Sequence, residues 1–319
     1  MRESSFVNRN KARWEEFEKI VNNQDRSSPD KLAELFIQVT DDLSFARTQY
    51  PTSRTTQYLN SLASKIHGEI YQNKKEDKNR FLLFWKEELP AVLYSAQKQL
   101  LYAFLLFVVA GTIGAVSAAY DDTFVRLILG DGYVNMTLEN IKNGNPTHVY
   151  SDGSEMDMFV GITLNNIMVS LRVFVFGVFF SLGTGLFLFY NALMVGTFVM
   201  FFYQESQLSQ ALPVILLHGT IELSSIVIAA AAGFLMGNSL LFPGTYSRLA
   251  SFKAGAIKGL KIVVGLIPFF ILAGFIESFV TRYAFMHWGI KTGIIGASAL
   301  LMIYYFILYP IQLKRNGRI

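Results

Sequence analysis

Cysteine is absent from all 319 residues, and that removes disulfides, thiol nucleophiles and cysteine–metal sites together. Charge is scarce as well. Asp, Glu, Lys and Arg make up 16% of the chain, against roughly 25% in an average soluble protein. No His-Glu-x-x-His run occurs, so a zinc protease of that type lacks support. No Gly-x-x-x-x-Gly-Lys-Ser/Thr phosphate loop occurs either, which excludes nucleotide hydrolysis by that route. No charged segment followed by a short apolar stretch opens the chain, so no cleavable signal peptide is expected. What the chain has in quantity is apolar: 52% hydrophobic residues with 28 Phe and a mean hydropathy of +0.34. Such a composition points to a chain solvated partly by lipid, and away from a wholly soluble enzyme, a disordered chain or a collagen.

A pI near 9.0 and a net charge of +4 acquire meaning once the charges are placed. Residues 1–98 hold 16 of the 28 Lys and Arg and 14 of the 24 Asp and Glu. A mixture so balanced reads as a folded domain on the cytoplasmic side rather than a nucleic-acid patch, and nucleic acid is not an expected partner. Ser28-Pro29-Asp30 is a helix start, followed by the stripe Leu32, Leu35, Phe36, Val39 and Leu43. Trp14, Phe17 and Val21 form an earlier stripe, and Leu59, Leu62, Ile66 and Ile70 a later one. Three amphipathic helices of this kind can bury one another. Phe81–Pro90, within an elbow at about 79–98, fits an interfacial helix with Trp85 at the headgroup level; it fits a fourth core helix equally well.

Over 99–319, stretches long enough to cross a hydrocarbon core of about 30 Å recur. They cover roughly 100–120, 159–181, 184–203, 211–237, 259–281 and 292–311, with a tight turn at Ser181-Leu182-Gly183. The fold class expected is all-α: a polytopic bundle of about six transmembrane helices with an N-terminal cytoplasmic helical domain. Segment 241–261 carries Arg248, Lys253, Lys258 and Lys261 with no acid, and the tail carries Lys314, Arg315 and Arg318. The positive-inside rule therefore puts both termini in the cytoplasm and 121–158 outside. Arg282 and Lys291, in the external loop 282–291, dissent.

An ionisable side chain at mid-bilayer costs at least about 2.5–3.5 kcal/mol, so each needs a reason. Arg172, His218, Glu222 and Glu277 qualify, with Asn165, Asn166 and Asn191 adding neutral polarity. His218 and Glu222 are four apart and share a helix face. Depths of roughly 20 Å for Arg172 and 16 Å for Glu222 follow from the helical rise. The expectation is a buried network in which Arg172 neutralises Glu222 and His218 reaches Glu277. Three uses remain open: a satisfied cluster that fixes helix register, a proton, ion or solute pathway, or a metal site. The first is the expected use, although His218 and Glu222 have ligand spacing, and no catalytic residue, metal or cofactor is expected. His148 and His287 fall in external loops.

Gly233 with Gly237, Gly255 with Gly259, and Gly111 with Ala115 have small-x-x-x-small spacing. Packing within the chain is the expected use, a homodimer the alternative. In 121–158, Phe124, Val125, Leu127, Ile128 and Leu129 suggest a short helix on the outer membrane surface. Asp152-Gly153-Ser154-Glu155-Met156-Asp157 lacks calcium-loop spacing and reads as solvated. Asn135-Met136-Thr137 matches a glycosylation acceptor, a triplet common by chance.

The run His218-Gly219-Thr220-Ile221-Glu222-Leu223, then Gly233, Gly237, Pro243-Gly244 and Arg248, resembles the stage II sporulation protein M family of bacterial and archaeal membrane proteins. Glu277 in Phe275-Ile276-Glu277-Ser278-Phe279, Phe6-Val7 with Asn10 and Trp14, and Pro90 before the first span agree, extending the resemblance over nearly the whole chain. It implies a multispanning inner-membrane protein without recognised enzymatic activity. In spore formers the family member anchors a complex with peptidoglycan-degrading partners during engulfment. Other relatives often occur beside genes for a MoxR-type ATPase and von Willebrand A proteins. The expected role is a scaffold for a cell-envelope complex, in contact with membrane lipids and recruiting proteins through 1–98 and 121–158. A transporter using the Arg/His/Glu network is the alternative.

Overall fold

A computed structural model describes residues 2–21, 29–72, 80–144, 154–282 and 286–318, and no strand occurs among them. Ser28, His148, Asp152 and Gly153 lie outside the described residues. The chain divides into two units, Met1–Arg80 and Phe81–Ile319. The division falls ahead of the aromatic elbow, not at residue 98 where the charge pattern alone placed it.

The first unit is built from α1 (Glu3–Val21), α2 (Pro29–Gln49) and α3 (Arg54–Gln72). The three helices meet in one core in which Phe17, Val39 and Leu59 are fully buried; burying each of these contributes about 1.5–3 kcal/mol, and the side chains of Ile66 and Ile70 lie outside the described ones. A polar clamp sets the pairing of α1 with α2. Trp14 Nε1 donates to Asp42 Oδ2 at 2.8 Å, and Arg13 donates to the same oxygen at 2.5 Å.

The second unit begins with α4 (Arg80–Leu83), a π-helical turn at Phe84–Glu88 and α5 (Leu89–Ser95), which form the elbow. The first span is α6 (Gln97–Tyr120). Two short helices follow, α7 (Asp122–Leu129) and α8 (Asp131–Lys142). The second span joins α9 (Glu155–Val175) to a 3-10 turn at Phe176–Val178, and the third is α10 (Leu182–Gln204). The fourth, α11 (Leu208–Leu241), packs against α6, α9, α10, α12 and α13 as the central helix. The fifth runs through α12 (Arg248–Phe275) into a π-helical turn at Ile276–Val280. The sixth comprises α13 (Trp288–Ile303), a π-helical turn at Tyr304–Leu308 and α14 (Tyr309–Arg315). Among the described residues, six helices are thus long and apolar enough to cross a membrane.

The helices run past the apolar stretches because polar residues continue them. Arg248, Lys253 and Lys258 lie on exposed positions of α12. Ser247 caps that helix by accepting from Ala250 N at 3.3 Å, after a turn in which Gly244 takes φ +63°. The tight turn between the second and third spans centres on Phe180 and Ser181, both at positive φ.

Lipid offers helices no hydrophobic drive to associate, so close backbone approach does much of the packing. A Cβ at Gly196 on α10 would stand 1.8 Å from the Gly111 carbonyl oxygen on α6. Gly233 and Gly237 face Thr184, Ser181 and Gly177, while Gly255 faces Ser239 and Gly259 faces Phe174. All these small-residue faces are occupied within the chain.

The elbow is both embedded and amphipathic. Leu89, Val92, Leu93 and Ala96 join the main core with Phe270 and Phe306, whereas Phe81 and Leu82 remain exposed. Tyr305 and Tyr309 donate to the carbonyls of Trp85 and Lys86 at 2.8 and 3.0 Å, and Lys261 pairs with Glu88 at 2.7 Å. At the opposite end of the spans, α7 and α8 pack Val125 and Val134 onto Ala118, Phe201, Phe202 and Ala211.

Candidate functional site

Buried polarity concentrates where α9, α11 and the turn after α12 meet. His218 and Glu222 share a face of α11, as their four-residue spacing dictates. Glu277 comes from the π-helical turn Ile276–Val280, whose extra residue per turn re-aims side chains relative to an α-helix. One ligand-type atom from each of the three lies within 4.8 Å of the others. His218 Nε2 stands 3.8 Å from Glu277 Oε1, both side chains being largely buried. His218 Nδ1 lies 3.3 Å from Thr281 Oγ1. Thr281 in turn donates its hydroxyl to Ile276 O at 3.1 Å, and that carbonyl also accepts the Thr281 backbone N–H. Glu222 Oε1 accepts from Asn166 Nδ2 at 2.5 Å.

Arg172 is not in this group, and the expected Arg172–Glu222 pair is corrected. Arg172 is exposed and has no ion-pair partner among the described residues. The reason is angular. Thr163, Asn166, Ser170, Val173 and Phe174 form the inward side of α9. Arg172 lies six residues beyond Asn166, about 120° away around a helix of 3.6 residues per turn. It also sits six residues from Val178, about 9 Å by the helical rise, within reach for its long stem to carry the guanidinium to the headgroups. Asn165 is exposed too, and Asn191 closes locally on Phe187 O at 2.8 Å.

Three buried hydroxyls close in sequence to the cluster residues, those of Thr163, Ser225 and Ser278, have no hydrogen-bond partner among the described residues. They lie three, three and one residues from Asn166, Glu222 and Glu277. The three-residue set of His218, Glu222 and Glu277 can hold a metal ion by ligand type, and equally can carry a proton between neighbouring acids and a base. Sequence reasoning singled out those three but missed Thr281 and the pairing role of Asn166.

The remaining motif residues are structural in placement. Gly219 is buried without a tight neighbour, Leu223 borders an apolar cavity of about 640 Å³ between α6, α11 and the sixth span, and Arg248 opens α12. Glu155 begins α9 and pairs with Arg282 at 3.6 Å. Asn135 lies inside α8 and accepts from Arg126 at 2.9 Å, and His287 accepts from Gly289 N at the start of α13.

Residues 103–282 match the family described as Stage II sporulation protein M. Residues 4–72 match a separate family, described as a domain of unknown function. Phe6, Val7, Asn10 and Trp14 therefore belong to the second match, and the first runs from within the first span to the end of the fifth rather than over nearly the whole chain. No curated protein and no solved structure matches the chain. The first match takes in more than half of the 319 residues and every member of the polar cluster, and the chain accordingly belongs to the stage II sporulation protein M family, as a multipass membrane protein.

Proposed function

We propose that the protein is a non-enzymatic scaffold of the inner membrane, holding cytoplasmic partners through residues 1–98 and envelope partners through 121–158. The observation that carries this reading is that chain outside the spans is folded: α1–α3 have a core of their own, and α7–α8 are packed as a pair. The anchoring role of the family in spore formers supports it, without implying a role in sporulation here. The bias of Lys and Arg toward segment 241–261 and the C-terminal tail supports cytoplasmic termini.

Quantitative pull-down from native membranes tests the scaffold. Because α7 and α8 cover Phe201 and Phe202, a deletion would uncover apolar surface, and exposed residues are the better targets. A Leu127→Ser/Met136→Ser/Glu139→Lys protein should fold and lose a stoichiometric partner. An unchanged partner set sinks the envelope half of the reading. Orientation is tested by single cysteines, on a background that has none: Asp131→Cys should label from outside, and Arg315→Cys only after the membrane is breached.

A transport reading is favoured by one observation, the convergence of the largely buried His218, Glu222 and Glu277 side chains. It requires pH-dependent flux in proteoliposomes that Glu222→Gln abolishes. Flux unaffected by that change removes Glu222 from any pathway.

A further inference from the structure

Beyond the scaffold reading, we propose that His218, Glu222 and Glu277 bind one divalent first-row transition cation, with zinc the best match. The ligand set is one imidazole nitrogen and two carboxylate oxygens, drawn from two helices and converging within 4.8 Å. Magnesium and calcium prefer all-oxygen shells of six or more ligands, whereas three protein ligands of this mixed type suit zinc with a position left open.

The hydrogen bonds around the imidazole orient it for this task. Thr281 has a single hydroxyl proton and donates it to Ile276 O. Toward His218 Nδ1, 3.3 Å away, it then accepts when the ring proton sits on Nδ1, which is the tautomer that a cation at Nε2 requires. In the neutral ring, Nε2 is then the lone-pair nitrogen, and it is the one beside Glu277 Oε1. In that tautomer a cation between the lone pair and the carboxylate oxygen would hold the two together. Their 3.8 Å separation is too long for a hydrogen bond. It is a few tenths of an ångström wider than the roughly 3.4 Å between tetrahedral ligands of zinc at ordinary bond lengths.

Asn166 and Thr281 stand as outer partners of Glu222 and His218, the arrangement that fixes metal ligands in orientation. Charge balance points the same way. Two carboxylates and one dication sum to zero, which is the condition for burying them cheaply away from water.

The test uses the tag-free full chain in detergent, loaded with zinc chloride, desalted and analysed for metal. One zinc per chain is expected. Cobalt loading should give visible absorption characteristic of low-symmetry coordination. His218→Ala and Glu277→Gln should each lose the metal, while His287→Ala keeps it. Asn166→Ala should keep it with affinity weakened about 10–100-fold. Gel filtration and helical circular dichroism report folding of each variant. Substoichiometric zinc and cobalt in the wild type overturns the proposal whatever the variants do. So does full zinc retention in folded His218→Ala and Glu277→Gln. None of these readouts depends on a partner, so failure here leaves the scaffold reading standing.

Discussion

Asn166 donates a side-chain hydrogen bond to Glu222 at 2.5 Å, tying α9 to α11 halfway along the second span. A neutral amide, not an arginine, thus meets the carboxylate. Interhelical hydrogen bonds of this kind measure about 0.6 kcal/mol on average in membranes and up to about 1.7. A double-mutant cycle over Asn166→Ala and Glu222→Ala should give a coupling energy in that range, read by denaturant unfolding in mixed micelles. Strict additivity would mean that the contact does not stabilise the fold.

Arg172 supplies the complementary prediction. An arginine on an exposed face that reaches the headgroups contributes little to stability, so Arg172→Gln should stay within about 0.5 kcal/mol of wild type. If Arg172 instead neutralised a buried Glu222, losing it would cost about 3–5 kcal/mol. Unfolding measurements on this one variant separate the two arrangements, and the larger loss would reinstate the pairing expected from depth alone.

That contrast shows what the amino-acid pattern could convey. The six spans were legible because apolar stretches of membrane length have few other uses. Their ends were not, since Arg248, Ser251, Lys253 and Lys258 are polar yet helical. His218 with Glu222 was legible from its four-residue spacing. Glu277, 55 residues on, could be placed by depth, because depth follows from counting along a helix. Arg172 was misplaced because depth was counted and angular phase was not. Thr281 was invisible: its position depends on the π-helical turn at Ile276–Val280, which no periodicity announces. The elbow was ambiguous for a related reason. Its carbonyls are met by Tyr305 and Tyr309, more than 200 residues away.

Helix packing gives a sharper test. A Cβ at Gly196 would overlap the Gly111 carbonyl, which is backbone and cannot swing aside. Gly196→Ala must therefore force α6 and α10 apart, at about 1–3 kcal/mol by the usual cost of overpacking. Gly293 on α13 has nothing within 4 Å of the same position. Gly293→Ala should be neutral or stabilising by up to about 1 kcal/mol, since alanine is the better helix former. Equal effects at both sites would show that the α6–α10 contact is looser than the structure has it.

The first unit offers a prediction in pH. Tyr58 donates its phenol to Glu18 Oε2 at 2.8 Å across α1 and α3. Partial burial, that bond and the charges of Glu18 and Glu15 together push its pKa up from 10.0 to about 12. Because the folded chain holds the proton more tightly than the unfolded one, the contribution to stability is fully present below the unfolded value near 10. It is lost as pH rises through about 12. The expected observation is a tyrosinate absorbance step near pH 12 in wild type that is missing from Tyr58→Phe. Between pH 10 and about 12 the stability gap between the two proteins should shrink. Tyr58→Phe removes the phenol, and the Glu18 carboxylate, being at the surface, is left hydrated, so the gap at pH 8 should itself be small. A tyrosine absorbance difference that instead titrates near pH 10 would mean that α1 and α3 do not hold Tyr58 against Glu18 in solution.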